Sequence, residues 1–379
     1  MQTVKTWAGI DVSAKTLAVS RYREERSETK EFGNDEKGHR ALIGWLGRQA
    51  RVAIEATGVY HLQLAMALQA AGIEVMVVNP RVAKDFARAL SNRSKTDQVD
   101  ALGLTEYVRR MEFQAWIAPS SAALELRELA RRITELVKTA TNEKNRLHAR
   151  RTSSISATVI ADVRAHIGQL EKRIKAMEAA AVQVIRKDDE LSEQFDRIKA
   201  ARGFGGRTAV LLLGELSVLD RTMTARQLVA HAGLDPRVYE SGTSVMKAVR
   251  ISKVGNARIR AVLFMNALSA IRHDRGARLF FARLVARGKK KMQAIVAVMR
   301  KLLHGIWTAI QRRVAFDGSI LFAASLAQAE SSDSAVAANQ PQRRQDHPKD
   351  RSEAEELREQ LDPGSAKATR QRGKTKKAA

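Results

Sequence analysis

The first hundred residues switch repeatedly between two hydrophobic periods, and that alternation limits the folds open to the chain. Residues 5–12, Lys-Thr-Trp-Ala-Gly-Ile-Asp-Val, read as a buried strand. Residues 16–22 and 27–32 read as two more, with a turn around Glu24–Arg26. Asp35–Arg48 carries helical spacing, and Arg51–Ile54 is a short apolar strand that stops at Glu55. A helix is expected over His61–Ala71, closed by Gly72 as a C′ glycine. Ile73–Val78 is a further strand, halted by Asn79-Pro80, and helical spacing resumes from Val82. The order β-β-β-α-β-α-β-α predicts a mixed sheet: three antiparallel strands, then alternating units that place helices on the sheet faces.

Four acids stand out within this pattern. Asp11 and Glu55 each end an apolar strand, where a carboxylate is costly without a purpose. Asp97 and Asp100 are three residues apart, which puts both on one face of a helix. Strand ends and a helix face can converge at one sheet edge. Carboxylates gathered there would repel one another without a cation, so convergence implies Mg²⁺ or Mn²⁺. The ordinary reading of any single acid is a solvated surface residue, and Asp97 and Asp100 could simply decorate a helix.

The rest of the chain differs in character. Residues 122–200 contain no proline and almost no glycine, and Ile133, Leu136, Val137, Leu147, Ile167, Leu170, Ile174 and Met177 recur at helical spacing. They predict two long helices, a coiled-coil linker serving either as a spacer or as an oligomerisation arm. Residues 196–313 read as a second, almost wholly helical domain. From residue 314 the chain is expected to be a disordered tail, basic and polar at its end. The expected division is therefore 1–121, 122–195, 196–313 and 314–379.

Charge separates these parts. The chain of 379 residues carries a formal net charge of +25. Residues 1–100 hold 15 Lys/Arg against 12 Asp/Glu, whereas residues 201–313 hold 22 against 5. The helical domain is thus the expected phosphate-contacting surface. Aromatic residues make up only 5% of the chain, which argues against single-strand binding on stacked aromatic platforms. There are no cysteines, which removes disulfides, thiolate nucleophiles and Cys-ligated zinc, and fits a reducing cytosol. No stretch is apolar for the length of a bilayer and no signal-peptide core is present, so a cytoplasmic, nucleoid-associated protein is expected.

Within the basic domain, Gly203-Phe-Gly-Gly opens a helix, and the backbone around Gly203 and Gly205 could face a phosphate as in a helix-hairpin-helix. A plain helix–helix turn is the commoner explanation. Further on, Gly233, Asp235-Pro236 and Ser241-Gly242 predict an exposed loop carrying Ser241. Lys247, Arg250, Lys253, Arg258 and Arg260 follow, and such cations could steady a phosphoryl transition state beside a serine nucleophile. Taken alone, Ser241 is one loop serine among several; Ser244 and Ser252 are equally placed. Lys289, Lys290 and Lys291 form a third basic element, read as nucleic-acid contacts or as a solvated face.

Gly9-Ile-Asp-Val-Ser-Ala-Lys, Glu55-Ala-Thr-Gly-Val-Tyr and Lys95-Thr-Asp-Gln-Val-Asp-Ala resemble the three signature segments of the DEDD insertion-sequence transposases, family one-ten, which include Piv-like DNA invertases. Asn79-Pro80-Arg81, the Ser241-Gly pair, Arg250-Ile-Ser-Lys-Val-Gly-Asn and the basic segment from Gly288 are similar to further parts of that family. The resemblance spans about residues 5–310. It implies a RuvC-like, ribonuclease-H-like domain whose metal site falls on Asp11, Glu55, Asp97 and Asp100. It also implies that Ser241 is a covalent nucleophile, supplied by another subunit of a homo-oligomer, dimer or tetramer. The implied partners are double-stranded DNA and a structured guide RNA. Apart from the resemblance, Lys95 and Thr96, directly before Asp97, are candidates to position DNA or the acids. Two other readings remain open: a junction-resolving nuclease that uses only the acids and water, and a basic, non-catalytic DNA-binding protein.

Overall fold

A computed structural model describes residues 6–56, 60–90, 96–153, 156–241 and 245–327. The elements below all lie within Met1–Leu326. The chain opens with β1 (Thr6–Val12), β2 (Thr16–Arg23) and β3 (Arg26–Gly33). Then come α1 (Glu36–Leu46), β4 (Ala50–Glu55), α2 (His61–Ala70), β5 (Glu74–Val78), α3 (Pro80–Ala89) and α4 (Asp97–Arg110). Every expected strand and helix is present within a few residues of its expected bounds.

The sheet order is β3-β2-β1-β4-β5. β3, β2 and β1 are antiparallel neighbours, while β1, β4 and β5 run parallel. This is the mixed sheet that the element order predicts. Alternation along the strands divides their side chains between two helical layers. Ala8, Ile10, Val12, Val52 and Ile54 pack with Leu42 and Leu46 of α1 and Leu64 and Leu68 of α2. Ala53, Met76 and Val78 face the other way and pack with Leu104 and Val108 of α4. Burying each such Leu or Val stabilises the layer by about 1.5–3 kcal/mol. Asn79 caps α3 by accepting from Arg81 N at 2.9 Å, and Pro80 takes the first helical position, where no N–H is needed.

The helical remainder begins with α5 (Ser121–Ser153) and α6 (Ala157–Lys187), then α7 (Asp189–Ala200), α8 (Gly206–Leu216) and α9 (Ala225–His231). After a two-stranded hairpin, β6 (Pro236–Ser241) and β7 (Val245–Ile251), come α10 (Ala257–His273), α11 (Arg275–Ala286), α12 (Lys291–Arg312) and α13 (Gly318–Leu321). Leu136 and Ala140 of α5 meet Leu170 and Ile174 of α6. At the other end of the pair, Leu126, Ala130 and Ile133 share one core with Ala181, Ile185 and residues of α7 to α12. The long pair is therefore built into the helical core at one end.

Two expectations are corrected here. The segment read as an open loop around Ser241 is a β-hairpin, because Val245, Lys247, Val249 and Ile251 alternate as a strand does. Residues 314–327, assigned from sequence to the tail, are folded: Phe322 is 2% exposed and packs 5.8 Å from Phe280, ring to ring. The tail from residue 328 lies outside the described residues. No described helix is long and apolar enough to cross a membrane.

Candidate active site

The sheet register brings two of the acids side by side. The parallel pairing of β1 and β4 ends at Ile10 opposite Ile54, and Asp11 and Glu55 are the next residue on each strand. Ile10 and Ile54 face α1 and α2, so alternation turns Asp11 and Glu55 toward the α4 layer.

α4 delivers the other two. Its N-cap is Thr96, whose Oγ1 accepts from Val99 N at 3.2 Å, and Asp97 and Asp100 lie in the first turn. Acids are favoured there by the helix dipole. Gly9 fixes how closely the helix approaches. A Cβ on Gly9 would lie 2.3 Å from both Ala101 O and Thr105 N, so β1 and α4 touch backbone to backbone. Thr105 is buried, and its Oγ1 lies 3.0 Å from Ser20 O and 3.0 Å from Ala101 O, joining α4 to β2. Gly9 thus belongs to the site by making room, two residues before Asp11.

The electrostatic consequence is clear at Asp11. Its carboxyl is pushed up to about 6, first by burial and then by the charges of Asp97, Glu55 and Asp100. Three like charges therefore act on one half-buried acid. Among the described residues, no three His, Cys, Asp or Glu side chains are already gathered as a metal-binding group. The donor chemistry nevertheless fits a hard divalent cation: four carboxylates, one of them disfavoured in its charged form by the other three. A cation among them would relieve that repulsion.

The loops after both acid-bearing strands are held by one residue. Asn34 Nδ2 donates to Ser13 O at 2.8 Å and to Tyr60 O at 3.4 Å, so it ties the segment after Asp11 to the segment after Glu55. His39 Nε2 stands 2.8 Å from Asn34 Oδ1 and fixes the amide's orientation. Burial lowers the His39 pKa, more than Asp35 raises it, which favours the neutral imidazole. Sequence does not single out Asn34, where it is one polar residue in a turn.

Ser241 does not lie on the acid-bearing edge. It is the last residue of β6, paired with Val245 of β7. Gly242, Ser244 and Lys95 lie outside the described residues, as do the side chains of Ser241 and Lys247. Arg250 is exposed. Lys253 adopts φ 53°, and its N–H donates to Gly233 O at 3.1 Å at the hairpin root. Ser252 Oγ donates to Asp235 Oδ1 at 2.6 Å, which gives it a local structural bond. Arg258 faces Glu215 at 3.9 Å, and Arg260 Nη1 donates to Ala232 O at 2.9 Å. These two arginines steady the hairpin root.

The remaining basic elements are placed as follows. Lys289, Lys290 and Lys291 are all exposed where α12 begins. No acid lies in that first turn, so three ammonium groups stand at the positive end of a helix dipole. An anion there would relieve both. Gly203 has φ 96°, and a Cβ on it would meet Asn266 O at 2.9 Å, so close packing of α10 accounts for this glycine. Gly205 is the exposed N-cap of α8.

Comparison with known proteins finds similar chains. Residues 8–150 match a family model for DEDD-type IS110 elements, described as Transposase, and residues 195–282 match the Transposase IS116/IS110/IS902 family. The Pilin gene-inverting protein of Moraxella bovis is 28% identical over 325 residues, 83% of this chain and 99% of that protein. The Pilin gene-inverting protein of Moraxella lacunata aligns to the same extent. An Insertion element IS110 uncharacterized 43.6 kDa protein of Streptomyces coelicolor is 32% identical over 111 residues, 29% of this chain and 27% of its own. The first model covers the sheet and its four acids, the second covers the hairpin with Ser241, and together they place the chain in the IS110 family of transposases.

Proposed function

We propose that the chain cuts and rejoins DNA strands through a site made of two parts, the four acids and Ser241. The observation that carries this reading is the sheet edge itself: Asp11 and Glu55 directly follow the paired Ile10 and Ile54, and α4 brings Asp97 and Asp100 near enough for their charges, with burial, to raise the Asp11 pKa. Asp11, Glu55, Asp97 and Asp100 would hold Mg²⁺ or Mn²⁺, which when bound supplies Lewis acidity and charge neutralisation for phosphoryl transfer. The chain's own contribution is placement: Gly9 and Thr105 set α4 against β1, and Asn34 fixes the loops beyond the two strands.

Ser241 Oγ would attack a DNA phosphorus. The Oγ–P bond forms as the bond from phosphorus to one deoxyribose oxygen breaks, the serine proton passes to a base, and the departing oxygen takes up a proton. Attack by the hydroxyl of the incoming strand reverses these changes and frees the serine. The resemblance to the DEDD transposases implies that a second copy of the chain would supply the serine to each acid cluster. Lys289–Lys291 and Arg250 would hold backbone phosphate, and the exposed N-cap at Gly205 would offer a further backbone contact. The net charge of the basic half leaves room for a structured guide RNA as well as DNA.

Ser241→Ala tests the division of labour in a strand-exchange assay on a supercoiled donor. The proposal expects exchange to fall to background while DNA affinity holds. Loss of exchange with simple cleavage retained would favour a nuclease that needs only the acids and water, and retained exchange would rule out Ser241 as the nucleophile.

A further inference from the structure

Glu215 is the single acid in an apolar run of α8, Val210-Leu-Leu-Leu-Gly-Glu-Leu, and its side chain is only 4% exposed. A carboxylate persists in such a place only when fully partnered. Its partners arrive from two other helices. Arg131 of α5 donates through Nε to Oε1 at 3.1 Å and through Nη2 to Oε2 at 3.4 Å. Asn256, at the start of α10, donates through Nδ2 to Oε2 at 2.7 Å, and Arg258 Nε stands 3.9 Å from Oε1. Burial raises the Glu215 pKa, but the bonds from Arg131 and Asn256 outweigh it and leave a net lowering, so the group stays charged.

Asn256 is where the serine hairpin returns to the helical core. Its Oδ1 caps α10, accepting from Arg258 N at 2.9 Å and Ile259 N at 3.2 Å, and its N–H donates to His231 O at 2.8 Å. Just before it, Gly255 has φ 123°, and a Cβ there would fall 2.1 Å from His231 O. Ser252 N donates to Asp235 O at 2.9 Å, so the two ends of the hairpin are laced together. The laced root is referenced to the body through Asn256, Glu215 and Arg131.

We infer that Glu215 is a positioning residue for strand transfer: it locks the root of β6–β7 against α5 and α8 and so aims the hairpin that carries Ser241. The inference rests on the reading of Ser241 as the nucleophile. A packing ion pair with no such role would affect melting alone.

The test uses full-length protein and two substitutions. Glu215→Gln keeps shape and removes charge. Asn256→Ser keeps an N-cap acceptor for α10 but removes the amide that reaches Glu215. Melting temperature, DNA affinity, strand-transfer kcat and KM, and amide hydrogen exchange over residues 232–256 are measured for each. Both variants are expected to fold and to keep KM within about twofold, while kcat falls about 10- to 100-fold. Exchange at Ser252, Lys253 and Asn256 should quicken, and the double variant should be no slower than the worse single one. Wild-type kcat, or a loss that follows the unfolded fraction while hairpin exchange is unchanged, would overturn the inference. Should Glu215→Gln fail to fold, Asn256→Ser carries the same readouts alone. Ser241→Ala with transfer intact would instead overturn the nucleophile reading, and it is scored separately from exchange at the hairpin root.

Discussion

Asp11→Asn should stabilise the metal-free protein at neutral pH while abolishing strand transfer. Asp11 is half-buried among three other acids, and its folded-state pKa is raised from 3.8 to about 6. A native state that binds a proton more tightly than the unfolded chain loses stability as pH rises through that window. Above about pH 6 the full penalty applies; below 3.8 both states are protonated and it vanishes. At about 1.36 kcal/mol per pKa unit the gross cost is about 3 kcal/mol. Half-exposure lets solvent screen the charges, which reduces it to about 1–2 kcal/mol. Asparagine is isosteric with the neutral acid and escapes the penalty. Urea unfolding of both proteins in a chelator, at about pH 7.5 and about pH 4.5, measures the difference while other titrations cancel. The variant should lead by about 1–2 kcal/mol at the higher pH and by less at the lower. Magnesium at about a hundred times its Kd should add about 2.7 kcal/mol to the wild type and so reverse the order. A variant that is equal or less stable at about pH 7.5 in chelator would refute the argument that the four acids repel one another.

Other perturbations separate placement from chemistry. Gly9→Ala forces α4 off β1, since its Cβ would lie 2.3 Å from two backbone atoms of the helix. It should lower stability by about 1–3 kcal/mol in the same urea assay, and strand transfer should fall further than stability explains. Replacing Lys289, Lys290 and Lys291 together with Ala should weaken DNA binding on every sequence alike. In a salt titration the slope of log K against log salt should fall by about 1 for each phosphate that the variant no longer neutralises; an unchanged slope would make the three lysines a solvated face.

The acid edge is legible in the sequence because each of its parts is local. An acid at Asp11 next to the end of one strand, a strand ending on Glu55, and a three-residue spacing at Asp97 and Asp100 are all visible in the chain, and the order of periods implies the mixed character of the sheet. What joins them is not local. Gly9 is needed because of Ala101 and Thr105, and Gly203 because of α10, contacts that close only when the chain is folded. The hairpin is mistaken for a loop because its glycines and Asp235-Pro236 outweigh the alternation of Val245 to Ile251, although that alternation is there to be counted. Two further signals are present in the chain. Glu215 interrupts an apolar helix, which marks a partnered buried acid. The apolar stretch from Ile320 sits in a segment otherwise read as tail, and Phe322 shows why: it fills a gap beside Gly276, where a Cβ would lie 2.7 Å from its own.

The most direct measurement is mass spectrometry of the protein trapped on a labelled DNA substrate under single-turnover conditions with magnesium. The two-part site predicts a phosphodiester adduct on the peptide containing Ser241, formed by the wild type and by neither Ser241→Ala nor Asp11→Asn. Strand transfer proceeding with no adduct, or with the adduct on another residue, would contradict it.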